Sequence, residues 1–447
     1  MIGPVKITPA KHLRGRVRVP GDKSVSHRAA MLAALASRGG RTRVTNFSSS
    51  ADCAATLACL AQLGVGVARE GATVEIVGAG LELPRAPAAP LDCGNSGTTL
   101  RLLAGVLAGQ SFRAVLTGDE SLRSRPMRRV IEPLELMGAR LEAEDGRAPV
   151  AVEGRRPLGA LRYELPVASA QVKSCVLLAG LNADGRTEVI ETRGETRDHT
   201  ERMLTWFGAG VETRAETRAG GAEARVVSVE GGRGLRARDV SVPGDISSAA
   251  FLLAAAAMLP GSDVEVEGVG LNPTRAGVLE VLRALGADVS AEGGREASNE
   301  PVGDIRARGA AGLAPARAGA NRLGGSRVGG LIDELPILAV LGTRVEGGLE
   351  IRDAAELRVK ESDRVRATVD NLRAMGAEVE EYDDGLAVFG PLRLRGARVR
   401  SHGDHRIAMA FAVAALAAEG DTEIEGADCV SVSFPDFFPL LESICVR

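Results

Sequence analysis

The sequence predicts an α/β protein with apolar helices inside and sheets outside, and three observations carry that reading. Six times, a short polar string runs into an apolar helical stretch. Five times, a helix closes on a Leu-x-x-(Leu/Met/Phe)-Gly end and a strand-like segment follows. Once, a whole string recurs: Val19-Pro20-Gly21-Asp22-Lys23-Ser24 returns as Val242-Pro243-Gly244-Asp245-Ile246-Ser247, dividing the chain into roughly equal halves.

The six strings are Gly21-Asp22-Lys23-Ser24, Gly94-Asn95-Ser96-Gly97-Thr98-Thr99, Ser169-Ala170-Gln171, Gly244-Asp245-Ile246-Ser247-Ser248, Ile332-Asp333-Glu334 and Gly403-Asp404-His405-Arg406. Each reads as a helix N-terminus, rich in Asp, Asn, Ser and Thr caps. Unpaired N–H groups and the positive dipole end of such a helix attract anions. Six converging ends would form a large site for negatively charged ligands. The stretches that follow (29–35, 100–107, 176–181, 249–259, 335–341 and 407–418) are apolar almost all round, which predicts burial.

The Gly-terminated ends lie at Leu60 to Gly64, Leu134 to Gly138, Leu204 to Gly208, Leu282 to Gly286 and Leu372 to Gly376. Gly there suits a left-handed helix terminus. Intervals of 70 to 90 residues are too long for a solenoid and fit a β-α-β-α-β unit used about six times. Residues 292–325, rich in Ala, Gly and Arg, are expected to hold one strand, Val302 to Arg306, within loops.

With 447 residues, two or three domains are expected. A net charge of −3 gives no global attraction to nucleic acid or anionic membrane, and 3% aromatic content leaves few stacking platforms. Six cysteines (Cys53, Cys59, Cys93, Cys175, Cys429, Cys445) show no metal-ligand spacing; they are expected to be reduced, and most, Cys93 and Cys175 included, to be packing residues. Met1-Ile2-Gly3-Pro4-Val5-Lys6 has no signal pattern, and the longest apolar run is too short to span a bilayer. A cytoplasmic location is therefore expected. Five Lys stand against fifty Arg, which draws attention to Lys23, Lys173 and Lys360 in motif-like strings.

Cations cluster beside the strings: Lys23, Arg28, Arg125, Lys360, Arg364 and Arg406. Arg28 lies four residues after Ser24, on the same helical face and against the dipole, a cost that a bound anion would offset. The bland alternative is surface pairing of Arg28 with Asp22 and of Arg406 with Asp404. Thr117 to Arg129 carries four arginines around a Pro, read either as a solvated cluster or as a clamp for carboxylate or phosphate. In Leu357 to Arg364, Lys360 and Arg364 are read as sharing a helical face, with Glu361 as an acid/base candidate. An exposed helix stapled by weak ion pairs is the competing reading.

Five of these strings, in order along almost the whole chain, resemble the 5-enolpyruvylshikimate-3-phosphate synthase (3-phosphoshikimate 1-carboxyvinyltransferase) family of the shikimate pathway. They are Pro20 to Arg28, Gly94 to Thr98, Arg125-Pro126-Met127, Arg358 to Arg364 and Gly403 to Arg406. The resemblance implies a two-domain inside-out α/β barrel, each domain of three pseudo-repeated β-α-β-α-β-β units with buried helices, closing on ligand. It places residues 1–20 with 242–447 in one domain and 21–241 in the other. It implies shikimate 3-phosphate and phosphoenolpyruvate as substrates, no cofactor or metal, a monomer, and a place in chorismate and aromatic amino-acid biosynthesis.

By position, the resemblance implies shikimate 3-phosphate contacts from Lys23, Ser24, Arg28, Ser169, Gln171, Asp333 and Lys360. It implies phosphoenolpyruvate contacts from Lys23, Asn95, Gly97, Arg125, Gln171, Arg364 and Arg406. Asp333, Glu361 and Lys23 are the implied catalytic groups, in an addition–elimination through a tetrahedral intermediate. Three positions depart from the family: Ala170 where a second Ser is common, Leu102 where some members have Pro, and Val432 where some have Lys. Gly97 leaves room beside the phosphoenolpyruvate site, so glyphosate binding is expected there. The alternatives are the sister enzyme acting on UDP-N-acetylglucosamine and a non-catalytic anion-binding relative. The Thr117 to Arg129 stretch lacks the reactive Cys typical of that sister enzyme.

Overall fold

A computed structural model describes residues 3–218 and 221–447; Met1 and Ile2, part of the segment read for a signal pattern, lie outside them. Six helices are buried along nearly their whole length: α1 Lys23–Leu35, α2 Gly97–Ala108, α3 Ala170–Gly180, α4 Ile246–Met258, α5 Leu335–Gly342 and α6 His405–Leu416. The six apolar stretches of the sequence fall on them. Fully burying one Leu or Phe contributes roughly 1.5–3 kcal/mol, so helices apolar on every face are stable only as a core.

Five of the six begin with a side-chain cap. Asp22, Ser96, Ser169, Asp245 and Asp404 accept from the backbone N–H of Val25, Thr99, Val172, Ser247 and Arg406. The exception is α5, where no side chain caps the helix and Pro336 stands in the first turn. Asp333 is drawn instead toward arginine side chains.

The chain divides into two compact units. One comprises Met1–Pro20, Pro243–Arg295 and Pro301–Arg447; the other comprises Gly21–Val242 and Glu296–Glu300. Val242 and the five residues 296–300 thus belong with the second unit, a detail absent from the sequence reading. Ser298 Oγ accepts from Ser241 N, and Glu300 meets His199 at 2.7 Å. Residues 288–308 form two long strands, Asp288–Ala297 and Glu300–Arg308, joined through Ser298 and Asn299 at φ 52° and 66°. One short strand was expected. Gly and Ala masked the alternation, and Ser-Asn is a weak cue for a positive-φ turn.

In the second unit each core helix is followed by a strand that pairs parallel on one side and antiparallel on the other. Arg113–Thr117 after α2 lies beside Leu91–Asp92, and Arg186–Glu191 after α3 lies beside Arg162–Glu164. These parallel partners precede their own helix, giving a β-α-β crossover. The two copies of the Val-Pro-Gly-Asp string exchange partners instead. His12–Val17, before α1, pairs with Asp263–Gly270 after α4; Val240–Ser241, before α4, pairs with Arg41–Thr45 after α1. A sequence repeat thus marks the points where the chain changes unit.

Five further helices pack with the core helices and end as the sequence predicts. Gly64, Gly138, Gly208, Gly286 and Gly376 all have positive φ, from 84° to 98°. In each, the following residue's N–H reaches the carbonyl five residues back, as Val65 does to Leu60 and Ala377 to Leu372.

Close approach of α2 and α3 depends on Gly105. A Cβ there would stand 2.3 Å from the backbone oxygen of Cys175. Backbone cannot move as a side chain does, so Gly105→Ala should destabilise by about 1–3 kcal/mol, despite the ~1 kcal/mol gain in helix propensity. Urea unfolding checks this; a midpoint unchanged or raised would contradict the packing argument.

Candidate active site

In the second unit, Lys23 opens α1 and Arg28, one turn further on, reaches back toward the helix start. Lys23 Nζ lies 2.8 Å from Asp52 Oδ2, at the start of helix Ala51–Gln62. Arg28 is buried rather than on the surface. It donates from Nε to Thr200 Oγ1 at 2.7 Å, from Nη1 to Ser24 O at 2.9 Å and from Nη2 to Ser174 Oγ at 2.8 Å. Burial pushes its guanidinium down to about 10, opposed by Glu201 and Asp22. These three acceptors are neutral oxygens, which satisfy direction without cancelling charge.

The N-termini of α2 and α3 are joined by side chains. Arg101 Nη1 donates to Gln171 Oε1 at 2.7 Å, and Gln171 Nε2 donates to Thr98 Oγ1 at 3.0 Å. Arg125 Nη2 donates to Asn95 Oδ1 at 2.7 Å and to Ser121 Oγ at 3.1 Å, while Asn95 Nδ2 holds Asp119 at 2.7 Å. Gly97 lies where two guanidiniums meet. A Cβ on it would fall 2.7 Å from Arg101 Nη1 and 3.5 Å from Arg125 Nη1. Ser169 uses its Oγ to cap α3, and Ala170 is the first residue of that helix.

Below this surface runs a buried chain of hydroxyls. His27 Nδ1 meets Thr56 Oγ1 at 2.7 Å, Thr56 meets Thr99 at 2.7 Å, and Thr99 donates to Ser96 Oγ at 2.7 Å. Burial pushes His27 down to about 3, so it is neutral at ordinary pH.

In the other unit the cations are matched by carboxylates. Arg364, 1% exposed, donates from Nε to Asp404 Oδ2 at 2.8 Å and from Nη2 to Glu361 Oε2 at 2.6 Å. Its Nη1 stands 3.4 Å from Asp333 Oδ1, and Arg406 Nε stands 3.5 Å from the same oxygen. Arg406 Nη1 also donates to the Asp333 carbonyl at 3.1 Å. Burial alone would raise the Asp404 carboxyl, but the Arg364 guanidinium against it holds it below its ordinary value. Arg364 is held above its ordinary range by Asp404, Glu361 and Asp333, against the opposing effect of burial.

Three readings of the sequence change here. Lys360 and Arg364 do not share a helical face: Lys360 is extended after the turn Ala355–Val359, and Arg364 opens helix Arg364–Ala374. Asp363 caps that helix by accepting from Arg366 N, which ends any helix running from 360. The exposed stapled helix fails as well, because Arg364 is buried. Arg406 and Asp404 do meet, but through the Asp404 cap on the Arg406 N–H, with Arg406 only 8% exposed.

The structure brings Asp333, Glu361, Arg364 and Arg406 together, while Lys360 pairs with Glu356 at 2.9 Å. Lys173 turns away into the core, fully buried, 2.7 Å from Glu201 and 3.2 Å from Glu191. Asp52, Arg101 and Arg275 were missed. Arg101 carried a signal, since it follows Gly97 by four residues as Arg28 follows Ser24. Among the described residues, no group of three or more His, Cys, Asp and Glu side chains is placed to hold a metal ion.

Six buried helices in two units, with cations gathered at their N-termini, define a protein of the enolpyruvyl transferase fold. The enolpyruvyl transferase NikO from Streptomyces tendae shares that fold at a TM-score of 0.75 and 20% identity, covering 99% of this chain and 97% of its own. The chain belongs, more particularly, to the EPSP synthase (3-phosphoshikimate 1-carboxyvinyltransferase) family, whose model matches residues 7–441. The 3-phosphoshikimate 1-carboxyvinyltransferase of Koribacter versatilis is 51% identical over 444 residues, 99% of each chain. That of Pelotomaculum thermopropionicum is 52% identical over 445 residues, 98% of each. The EPSP synthase structure from Acinetobacter baumannii gives a TM-score of 0.85 at 42% identity, covering 100% of this chain and 99% of that one.

His27 gives this site a pH signature. Its folded value is depressed, so the unfolded chain takes up a proton that the folded chain refuses once pH falls below about 6.5. Stability is therefore lost as pH falls from there toward 3. Wild type should lose about 2 kcal/mol more than His27→Gln between about pH 7 and about pH 5. Urea titrations at the two pH values measure the difference, and equal losses would show that His27 is not held neutral.

Proposed function

We propose that the chain transfers the enolpyruvyl group of phosphoenolpyruvate to the 5-hydroxyl of shikimate 3-phosphate and releases phosphate. The observation that carries this reading is the division of charge. One unit gathers Lys23, Arg28, Arg101 and Arg125 near helix starts, with neutral oxygens around Arg28 and Asp52 against Lys23, an arrangement suited to polyanions. The other offers carboxylates held beside arginines, suited to moving protons.

On this reading the shikimate hydroxyl oxygen attacks C2 of phosphoenolpyruvate as C3 accepts a proton, forming a tetrahedral ketal phosphate. The C2–O bond to phosphate then breaks as the new methyl group gives back a proton. Asp333 takes the hydroxyl proton, and Glu361 and Lys23 serve C3 and the leaving phosphate. Lys23, Ser24, Arg28, Ser169, Gln171, Asp333 and Lys360 hold shikimate 3-phosphate; Lys360 would exchange its pairing with Glu356 for the ligand. Lys23, Asn95, Gly97, Arg125, Gln171, Arg364 and Arg406 hold phosphoenolpyruvate. Guanidiniums already oriented by Asn95, Gln171 and Asp404 need no reorganisation as charge moves onto phosphate, which is where preorganised electrostatics act. With Ala170 in place of Ser, the free N–H groups at the start of α3 supply the missing bond. We further propose a cytoplasmic monomer acting in aromatic amino-acid biosynthesis without nucleic-acid partners. Among the described residues, no helix is long and apolar enough to cross a membrane.

Phosphate release from phosphoenolpyruvate tests the reading, measured with and without shikimate 3-phosphate in metal-free buffer. Release should require shikimate 3-phosphate and fall by roughly 10²–10⁴ in Glu361→Gln. Release dependent on UDP-N-acetylglucosamine would select the sister activity, and anion binding without turnover would select a non-catalytic relative. Glyphosate should compete with phosphoenolpyruvate, and non-competitive behaviour would remove Gly97 from that site.

A further inference from the structure

A third guanidinium faces Asp333 besides Arg364 and Arg406. Arg275 lies between strand Asp263–Gly270 and helix Gly277–Ala284 and is 3% exposed. Its Nη1 stands 3.8 Å from Asp333 Oδ2, while Arg364 and Arg406 approach Oδ1 at 3.4 and 3.5 Å. Its Nη2 donates to Ser247 Oγ at 2.6 Å and lies 3.8 Å from Asp245 Oδ1. Ser247 Oγ donates in turn to Glu334 Oε1.

These contacts close a ring. Asp333 and Glu334 are adjacent at the start of α5; Glu334 holds Ser247, Ser247 holds Arg275, and Arg275 faces Asp333. The ring matters because α5 is the one core helix of the six without a side-chain cap. No cap bond fixes the direction of the residues before it, so their side chains take direction from outside. A buried arginine stays charged, and a cation within about 4–6 Å of a carboxylate favours its ionised form. The charged groups around Asp333 include Arg275, Arg364 and Arg406, with Glu361 and Asp404 reaching it through Arg364 and Asp245 through Arg275. Glu334 reaches it through Ser247 and Arg275.

We propose that Arg275 is a positioning residue for Asp333, fixing the direction of the carboxylate and keeping it ionised to accept a proton. The proposal rests on the reading that Asp333 takes the hydroxyl proton. Arg275 is not one of the residues proposed to hold either substrate, so its loss acts on the proton acceptor rather than on binding.

The experiment is kcat against pH for wild type, Arg275→Gln, Arg275→Lys and Ser247→Ala, with Asp333→Asn alongside. Removing one of these cations raises the value at which the carboxylate protonates. The acid limb of Arg275→Gln should therefore move up by about one pH unit, with KM for shikimate 3-phosphate within about threefold of wild type. Arg275→Lys should recover most of the displacement. A uniform fall at every pH with the limb unmoved would mean a merely structural arginine and overturn the proposal; so would an unmoved limb with full activity. Should Arg275→Gln not fold, Ser247→Ala decides, with a smaller upward displacement expected and a wild-type limb overturning it. Asp333→Asn separates the two layers. Full turnover in that variant sinks the underlying role of Asp333, whereas its loss beside an unmoved limb in Arg275→Gln sinks only the role of Arg275.

Discussion

Like ends of dipoles repel, and each unit buries three core helices whose N-termini are tied to one another by side chains. That constraint governs the placement of the polar residues described above. An N-terminus carries about half a positive charge, yet Lys23, Arg28 and Arg101 stand near such ends in one unit and Arg406 in the other. The two units relieve the resulting field differently. Arg28 and Arg101 are held by hydroxyl, amide and carbonyl oxygens, with Asp52 set against Lys23. Arg364 and Arg406 are interleaved with Asp333, Glu361 and Asp404. The first arrangement sets neutral oxygens against Arg28 and one carboxylate against Lys23. The second is internally balanced and leaves carboxylates whose proton affinity is set by fixed neighbours.

Helix ends were legible in the sequence because they depend on local chemistry. A Ser or Asp bonding an N–H two or three residues on needs nothing distant, and neither does a Gly adopting positive φ. Hence five caps and five Gly ends stand where the strings put them. Burial was legible for the same reason, since a helix apolar on every face has one stable environment. The exchange of strands between the Val-Pro-Gly-Asp copies was not legible, because pairing of His12–Val17 with Asp263–Gly270 is decided some 250 residues away. The residues 296–300 were hidden similarly: their place rests on Ser241, Arg202 and His199, far off in sequence.

Around the proposed site, the sequence singled out residues that share a string with a helix N-terminus, and it passed over charged neighbours supplied from elsewhere. Asp52 belongs to Ser48-Ser49-Ser50-Ala51-Asp52, a hydroxyl-rich helix start outside the six strings. Arg275 follows Asn272-Pro273-Thr274, which reads as a turn. Lys173 shows the reverse error of attention: rarity singled it out, yet its ammonium is locked between Glu191 and Glu201. Burying an ion pair at that depth is no sign of chemistry, since the desolvation cost is met only by close pairing. Scarcity of lysine is a compositional fact, and only the partner of each lysine separates a structural role from a reactive one.

Comparison of the two Val-Pro-Gly-Asp copies shows one local structure carrying charged partners of opposite sign. In both, the Asp caps a core helix, and in both a Gly sits where side chains have little room: a Cβ on Gly21 would overlap Asn46 O at 1.7 Å, and one on Gly244 would press Val19 at 3.1 Å. After the cap the copies diverge. Lys23 and Arg28 in the first correspond to Ile246 and Phe251 in the second, both buried. The compensating charge comes in each case from the segment that follows the next strand. In the first copy that segment supplies the anion, Asp52 against Lys23; in the second it supplies the cation, Arg275 between Asp245 and Asp333. The same turn, helix and strand are kept while the sign of each partner is reversed. A cation-rich helix start and a carboxylate-rich one can therefore be built on one repeated unit, with the backbone conserved between them.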